Sequence, residues 1–288
     1  MGRRTGNGTR ALLTLALAAV MTGCTAGQDA AGPADAASRR THGKGSSGGF
    51  VVQYRTGGKA ASATAYLRTR RILDKAAERL NDTVKVPHRI PFVVRSCGAA
   101  EPAYDSETGT IDFCAEHVDE IRDRFAHVGQ GVGQGADRQG DPDAADAHVA
   151  AVLEETAYHE SAHALIDRLG LRFTGREEDV ADQLAAVLLI GQGRAGETKA
   201  LAAATDYALA AKETPFDPAD LLDEHSLDGQ RAANYACYVY GVQPARHEDL
   251  VGAGGRVTED RAEGCPDEWE QARSGWQQLL AGHLKRQV

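Results

Sequence analysis

Apolar residues form short runs typical of strands within residues 50–113 and follow a helical period over much of the later chain. Phe50 to Tyr54 has the β-branched and aromatic composition typical of a strand. Residues 63–80 space their large apolar side chains at a roughly helical period, and residues 84–95 are extended, with two prolines suited to irregular or edge positions. Residues 108–113 combine a turn with a returning strand, and residues 116–127 predict a short helix.

From about residue 147 onward the pattern is mainly helical. It predicts five helices, at about residues 147–169, 175–190, 197–212, 230–240 and 266–284. The first should end at Gly170, since glycine readily adopts the left-handed conformation of a helix end. A small N-terminal sheet with one or two helices, followed by a helical half, predicts an α+β fold.

Residues 129–146 interrupt this pattern with five Gly, four Asp and almost no apolar side chains. This composition predicts a mobile surface loop. Its position before the first long helix allows two interpretations. It is either a lid over a site on that helix or a tolerated insertion, and the insertion is the simpler explanation.

The N-terminus has the organisation of a bacterial secretory signal. Arg3, Arg4 and Arg10 form a basic region, an apolar run follows, and Met21-Thr22-Gly23-Cys24 resembles a lipobox, with Met21 in place of the usual Leu. The apolar run is too short for the alternative, a membrane-spanning helix. We expect residues 1–23 to be a lipoprotein signal peptide and Cys24 to be lipidated.

Residues 24–49 are rich in small and polar residues and have no apolar period, so we expect a flexible tether. The folded domain should then cover residues 50–288. This organisation predicts a protein that is lipid-anchored to the outer face of the bacterial cytoplasmic membrane, or secreted. The formal charge of −9, without a basic run beyond the extreme N-terminus, excludes nucleic acid as an expected partner.

Four cysteines remain in the predicted domain, an even number that suggests two disulfides in an exported protein. Three pairings are possible. We favour Cys97–Cys114 and Cys237–Cys265, because each pair closes a short local loop, and the first would staple the predicted hairpin. A zinc site built from thiolates is the alternative, but the chain has no C-x-x-C spacing.

The most informative segment for chemistry is residues 159–163, which read H-E-x-x-H in a stretch without Gly or Pro. Histidines four residues apart on a helix lie on one face, about one turn apart. His159 and His163 can therefore bind one Zn²⁺, with Glu160 beside them to accept a proton from activated water. This zincin-type helix predicts a metal-dependent hydrolase, most directly a peptidase.

A catalytic zinc site needs a third protein ligand. Leu169 replaces the histidine of a metzincin motif, and both methionines lie in the predicted signal peptide, which excludes the Met-turn of that class. The other common solution is a Glu on the next helix. Thr174 and Glu177 have the spacing of a capping box, which would occupy Glu177 and leave Glu178 as the ligand. Glu177 as the ligand is the alternative.

Asp182 lies four residues beyond Glu178, where it can accept the second ring N–H of His159 or His163 and fix the tautomer. This spacing resembles the thermolysin-like gluzincins, in which the Glu binds zinc and the Asp orients a histidine ligand. In those enzymes a later histidine stabilises the oxyanion of the tetrahedral intermediate. The resemblance therefore implies a catalytic role for His225, for which a capping or surface position is the alternative.

Over roughly residues 50–284 the chain resembles a family of bacterial metallopeptidases of unestablished function. The matching segments are specific only in combination: Ser96-Cys97-Gly98 with Phe113-Cys114, residues 159–163, residues 175–179 with 181–183, residues 224–228 with Gln230-Arg231, Cys237 with Tyr240-Gly241, and Arg261 with Cys265 and Trp276. The chain departs from that family at Ser161-Ala162, where a bulky residue and Gly are usual, and both replacements suit a helix. The resemblance supports a gluzincin-like metal site and supplies no substrate.

The resulting expectation is a monomeric zinc peptidase that hydrolyses peptide bonds of a peptide or protein outside the cytoplasmic membrane. Two alternatives stay open. One is a surface lipoprotein whose metal site is catalytically silent, although a purely structural site has no need of the base Glu160. The other is a metal-dependent hydrolase of a non-peptide cell-wall bond, which the sequence does not separate from a peptidase.

Overall fold

A four-stranded sheet and a set of packed helices follow one another along the chain. The computed structural model describes residues 48–55, 60–98, 101–126, 142–214 and 216–287. All of these residues belong to one compact unit. The arrangement confirms the predicted α+β fold. The predicted signal peptide, the lipidation site Cys24 and nearly all of the tether lie outside the described residues.

The sheet has the strand order β1-β2-β4-β3. Its strands are β1 (Gly49–Tyr54), β2 (Arg89–Arg95), β3 (Ala103–Asp105) and β4 (Thr110–Cys114). The pairs β1–β2 and β2–β4 are parallel, and the turn at Gly109 joins β3 to β4 as an antiparallel hairpin. β3 therefore lies at an edge of the sheet.

Both predicted disulfides are present in the structure. Cys97–Cys114 joins the ends of two parallel strands, β2 and β4, so it does not staple the β3–β4 hairpin as expected. Cys237–Cys265 joins two helices of the C-terminal half. At the same crossing Gly241 allows close contact, since an added Cβ would lie 2.3 Å from the Cys265 carbonyl oxygen.

The single helix expected over residues 63–80 is two helices, α1 (Ala61–Arg70) and α2 (Ile72–Thr83). Arg71 separates them with φ of 56°, in the left-handed region that ends a helix. No Gly or Pro marks this break, so the apolar period did not reveal it. The next helix, α3 (Glu116–Ala126), was predicted.

The helical half contains α4 (Pro142–Leu169), α5 (Glu177–Ile190), α6 (Arg194–Glu213), α7 (Asp228–Val242), α8 (Glu259–Ala262) and α9 (Cys265–Leu279). α4 begins at Pro142, so the last five residues of the predicted 129–146 loop are helical. Proline suits a first helical turn, and the alanines after it favour helix. Residues 127–141, which carry the lid interpretation, lie outside the described residues. Among the described helices, none is both long and apolar enough to cross a membrane.

α4 is the central helix of the domain. It packs against α2, α3, α5, α6 and the β3–β4 side of the sheet. Leu153, Ala157 and Leu165 are fully buried in these contacts. α5 is held in turn by Trp276 of α9, whose indole N–H donates to the Val180 carbonyl oxygen at 3.0 Å. The helices that carry the predicted site are therefore fixed by the core.

Candidate active site

The H-E-x-x-H segment lies within α4, without a break in the helix. Gly170, with φ of 61°, ends α4 as predicted, and the chain then turns back so that α5 packs on α4. This turn places the first residues of α5 beside the two histidines. His159 is buried, and His163 is partly buried at the surface of the site.

Three side-chain atoms from α4 and α5 meet at one point. His159 Nε2 lies 3.2 Å from His163 Nε2, and Glu178 Oε2 lies 3.1 Å from the former and 3.4 Å from the latter. Tetrahedral Zn²⁺ with bonds of about 2.0–2.2 Å separates neighbouring ligand atoms by about 3.3–3.6 Å. The triangle of nitrogen, nitrogen and oxygen atoms is therefore close to one face of such a site.

Each histidine is held at its other ring nitrogen by a carboxylate. His159 Nδ1 lies 2.9 Å from Asp182 Oδ1, and His163 Nδ1 lies 2.9 Å from Glu177 Oε1. An ionised carboxylate can only accept, so Nδ1 is the donor in both contacts. A neutral imidazole with its proton on Nδ1 has a lone pair on Nε2. Both lone pairs are then directed toward Glu178.

Three acceptor atoms in one space repel one another unless a cation lies among them. Without a metal, that cation is a proton. Burial opposes protonation, yet hydrogen bonds with Asp182 and Glu178 raise the pKa of His159 to about 10. Two imidazoles and one carboxylate are also the protein ligands of a common class of catalytic zinc sites. These residues fit a divalent metal by both their charge and their chemistry.

The structure corrects the prediction for the start of α5. Arg176 is the N-cap residue and no side chain caps the helix, so Thr174 and Glu177 do not form a capping box. Glu177 stands at the first helical position, too early for the third-residue role that a capping box requires. Its carboxylate contacts His163 instead, while Glu178 faces both Nε2 atoms.

Glu160 is buried beside the histidines, with 7% of its surface exposed. Burial raises the pKa of its carboxyl group, against the lowering effect of His159 and His163. A hydrogen bond from the backbone of Tyr104, in β3, also lowers this pKa. The sheet edge thus positions the carboxylate that was predicted to act as the base.

His225 lies between α6 and α7 and reaches the same point. Its Nε2 is 3.0 Å from Glu178 Oε2, and its Nδ1 is 2.9 Å from Asp223 Oδ1. The hydrogen bond with Glu178 raises the pKa of His225 to about 9. Arg176 donates to the His225 carbonyl oxygen at 3.1 Å and ties this segment to α5. Atoms of His159, Glu178 and His225 that could bind a metal lie within 4.8 Å of one another, so His225 is also within reach of a candidate metal position.

Two clefts, of about 980 and 650 Å³, meet at His159, Glu160 and His225. The larger cleft follows α4 toward its N-terminus past Thr156 and is bounded by α3 and α6. The smaller one is bordered by β3, through Ala103 and its neighbours. A long substrate can therefore extend to both sides of the candidate metal ligands.

The model of one protein family, DUF4344, with the description "Putative metallopeptidase", matches residues 54–280. The chain belongs to this family. The match covers α4, α5, the segment with His225 and all of β2, β3 and β4. Neither the curated proteins nor the solved structures contain a match to the chain. Membership of a metallopeptidase family implies a metal ion and a peptide or protein substrate.

The candidate site has a polar layer behind it that the sequence interpretation missed. Glu155 accepts hydrogen bonds from the hydroxyl groups of Tyr207 and Tyr235, and Arg231 pairs with Asp182. Glu155 precedes His159 by four residues on the same face of α4, a spacing that could have drawn attention to it. The tyrosines and Arg231 come from α6 and α7, and no local spacing connects them to the motif.

Replacing Glu178 by Ala should remove stoichiometric zinc from the purified protein, because it deletes one of three converging ligand atoms. Glu177→Ala is the matched control from the same helical turn. It removes only the partner of His163 Nδ1 and should weaken zinc binding by about 10- to 100-fold without abolishing it. Metal analysis and competition with a chromophoric chelator measure both effects. A stronger loss in Glu177→Ala than in Glu178→Ala would assign the ligand to Glu177.

Proposed function

We propose that the protein is a zinc-dependent peptidase of the gluzincin type, with His159, His163 and Glu178 as the metal ligands. The observation that carries this proposal is the triangle of two Nε2 atoms and one Oε2 atom, 3.1–3.4 Å apart, with a carboxylate behind each ring. Two imidazoles and one carboxylate would hold zinc with three protein ligands and leave room for water or substrate, as catalysis requires. When bound, zinc supplies Lewis acidity, which polarises a carbonyl group and lowers the pKa of water.

Glu160 is the proposed general base. Its carboxylate accepts a proton from the attacking water and delivers it to the nitrogen of the leaving amine. A base that must release its proton again works best with a pKa between that of an ordinary carboxyl group and that of water. Burial shifts the pKa of Glu160 upward, in the required direction.

His225 is the proposed donor to the oxyanion that forms at the scissile carbonyl group. The hydrogen bond with Glu178 raises the pKa of His225, which favours the protonated imidazole, and a substrate oxyanion would take over the Nε2 hydrogen that Glu178 accepts in this structure. Asp223 holds the opposite ring nitrogen. The side chain is 44% exposed where the two clefts meet, so substrate can reach it. A fixed donor of this kind accelerates acyl transfer by about 100- to 1,000-fold.

The border of the smaller cleft favours a peptide over a non-peptide cell-wall bond. β3 is the edge strand of the sheet, and Ala103 and Tyr104 line this cleft. An edge strand can recognise an extended peptide by strand addition, through the backbone groups that are not already engaged, as the Tyr104 N–H is by Glu160. A glycan strand has no matching ladder of donors and acceptors.

Glu160→Gln should keep its zinc and lose hydrolysis of a peptide library, because the amide is nearly isosteric and cannot accept the proton. His225→Ala should also keep its zinc, with a fall in kcat of about 100-fold. Mass spectrometry of the digested library and metal analysis of the same samples measure both properties. Peptide cleavage by Glu160→Gln at the wild-type rate contradicts the mechanism. Loss of zinc from His225→Ala would make His225 a ligand and not the oxyanion donor.

We also propose that the peptidase is exported and anchored by a lipid on Cys24, after removal of residues 1–23. The basic and apolar pattern before Cys24 supports this proposal, as do the two disulfides, which are typical of oxidising compartments. In a bacterial host that carries the lipoprotein machinery, Cys24→Ser should abolish incorporation of radiolabelled palmitate and release the protein from the membrane fraction. Unchanged labelling in Cys24→Ser would exclude this anchor.

A further inference from the structure

A largely buried arginine adjoins the site without a hydrogen bond to any proposed metal ligand in the described structure. Arg231, in the first turn of α7, donates from Nε to Asp182 Oδ2 at 2.8 Å and from Nη2 to Asp182 Oδ1 at 2.7 Å. Its side chain is 13% exposed and that of Asp182 is 7% exposed. Asp182 Oδ1 is also the acceptor for His159 Nδ1. One carboxylate therefore joins the arginine to the metal-binding histidine.

Arg231 is itself held from a third helix. Its guanidinium group lies over the ring of Tyr207, 4.0 Å from the ring centroid. The hydroxyl groups of Tyr207 and Tyr235 donate to Glu155, one turn before His159 on α4. The network is closed, since it starts and ends on the helix that carries the H-E-x-x-H motif. Little freedom remains for the arginine to leave Asp182.

Removing the arginine would take away the fork that holds both oxygens of Asp182 and leave the His159 N–H as its partner. The carboxylate is then free to rotate toward other donors, since a buried oxygen without a partner is costly. His159 Nδ1 thereby loses the fixed acceptor that sets its tautomer and its ring orientation. The geometry of Nε2, the ligand atom, then becomes less well defined.

We propose that Arg231 is a positioning residue for the metal ligand His159 and acts through Asp182. The role requires an arginine and not merely a positive charge, because two nitrogen atoms of a planar fork engage both oxygens of the carboxylate. A lysine would supply one point charge and leave one oxygen without this partner. This inference rests on the proposed zinc site only in that His159 is one of its ligands.

A double-mutant cycle on zinc affinity tests the proposal, with Zn²⁺ and a competing chromophoric chelator as the probe. The variants of the mature chain are Arg231→Met, Asp182→Asn and the two combined. Arg231→Met should weaken zinc binding by about 10- to 100-fold, as the loss of outer partners of metal ligands does elsewhere. In the Asp182→Asn background the same change should alter the affinity by less than about 3-fold, because the intermediary is already lost. Equal fold-changes in both backgrounds would overturn the proposal.

Arg124→Met is the matched control for general loss of stability. Arg124 is 11% exposed and pairs with Asp206 at 2.6 Å, in contact with neither the proposed ligands nor their carboxylate partners in the described structure. Arg124→Met should lower the thermal midpoint of unfolding by an amount comparable to that of Arg231→Met. It should nevertheless bind zinc with wild-type affinity. A loss of zinc affinity equal to that of Arg231→Met would make Arg231 a merely structural residue.

Arg231→Lys keeps the buried charge and provides the test if Arg231→Met does not fold. We expect an intermediate loss of zinc affinity that again disappears in the Asp182→Asn background. Wild-type zinc affinity in Arg231→Lys would refute the requirement for an arginine that engages both oxygens of Asp182. A wild-type protein that does not bind zinc would instead refute the proposed function, so the two failures are distinguishable.

Discussion

The hydrogen bond between His159 and Asp182 is the contact on which the geometry of the site depends. It joins α4 to α5, sets the proton on Nδ1 and directs the Nε2 lone pair toward Glu178. On the outer side of the site, the contact between His163 and Glu177 likewise joins the two helices and sets the proton of His163 on Nδ1. Because both anchoring carboxylates and Glu178 lie within the first two turns of α5, the pairing of two helices is enough to build the triangle of ligand atoms.

The fold holds these two helices in place from several sides. α4 is surrounded by the sheet and by other helices, so the motif has no freedom to rotate. α5 is fixed by Trp276, and the start of α7 adds Arg231 behind Asp182. The edge of the sheet brings the Tyr104 backbone to Glu160. Separate parts of the chain thus support His159, a proposed ligand, and Glu160, the proposed base.

Features of the site that depend on local spacing were predictable from the sequence. Histidines four residues apart, a carboxylate on the next helix and the two short disulfide loops all follow from helical geometry or short separation along the chain. The proposed roles of His159, His163 and Glu178 as ligands stay predictions, although the structure brings these side chains together. The prediction of the capping box at Glu177 was wrong because α5 begins two residues later than expected.

Features that depend on distant parts of the chain were not predictable in this way. Arg231 belongs to a segment that carries the resemblance to a family. No role of its own could be assigned to it from the sequence, because 49 residues separate it from Asp182. Arg71 interrupts the predicted first helix with a left-handed backbone conformation, and an arginine at that position gives no sequence signal of a helix end. Because β2 pairs in parallel with β4, the Cys97–Cys114 bond links these two strands and not the two strands of a hairpin, as was expected.

X-ray absorption at the zinc edge, on the mature protein loaded with one equivalent of zinc, is the most direct test of the central claim. The account predicts two imidazole nitrogen ligands, with the remaining ligands oxygen at about 2.0–2.2 Å, and a changed spectrum in Glu178→Ala. Sulfur ligands at about 2.3 Å, or a spectrum without imidazole scattering, would contradict a metal centre built on His159 and His163.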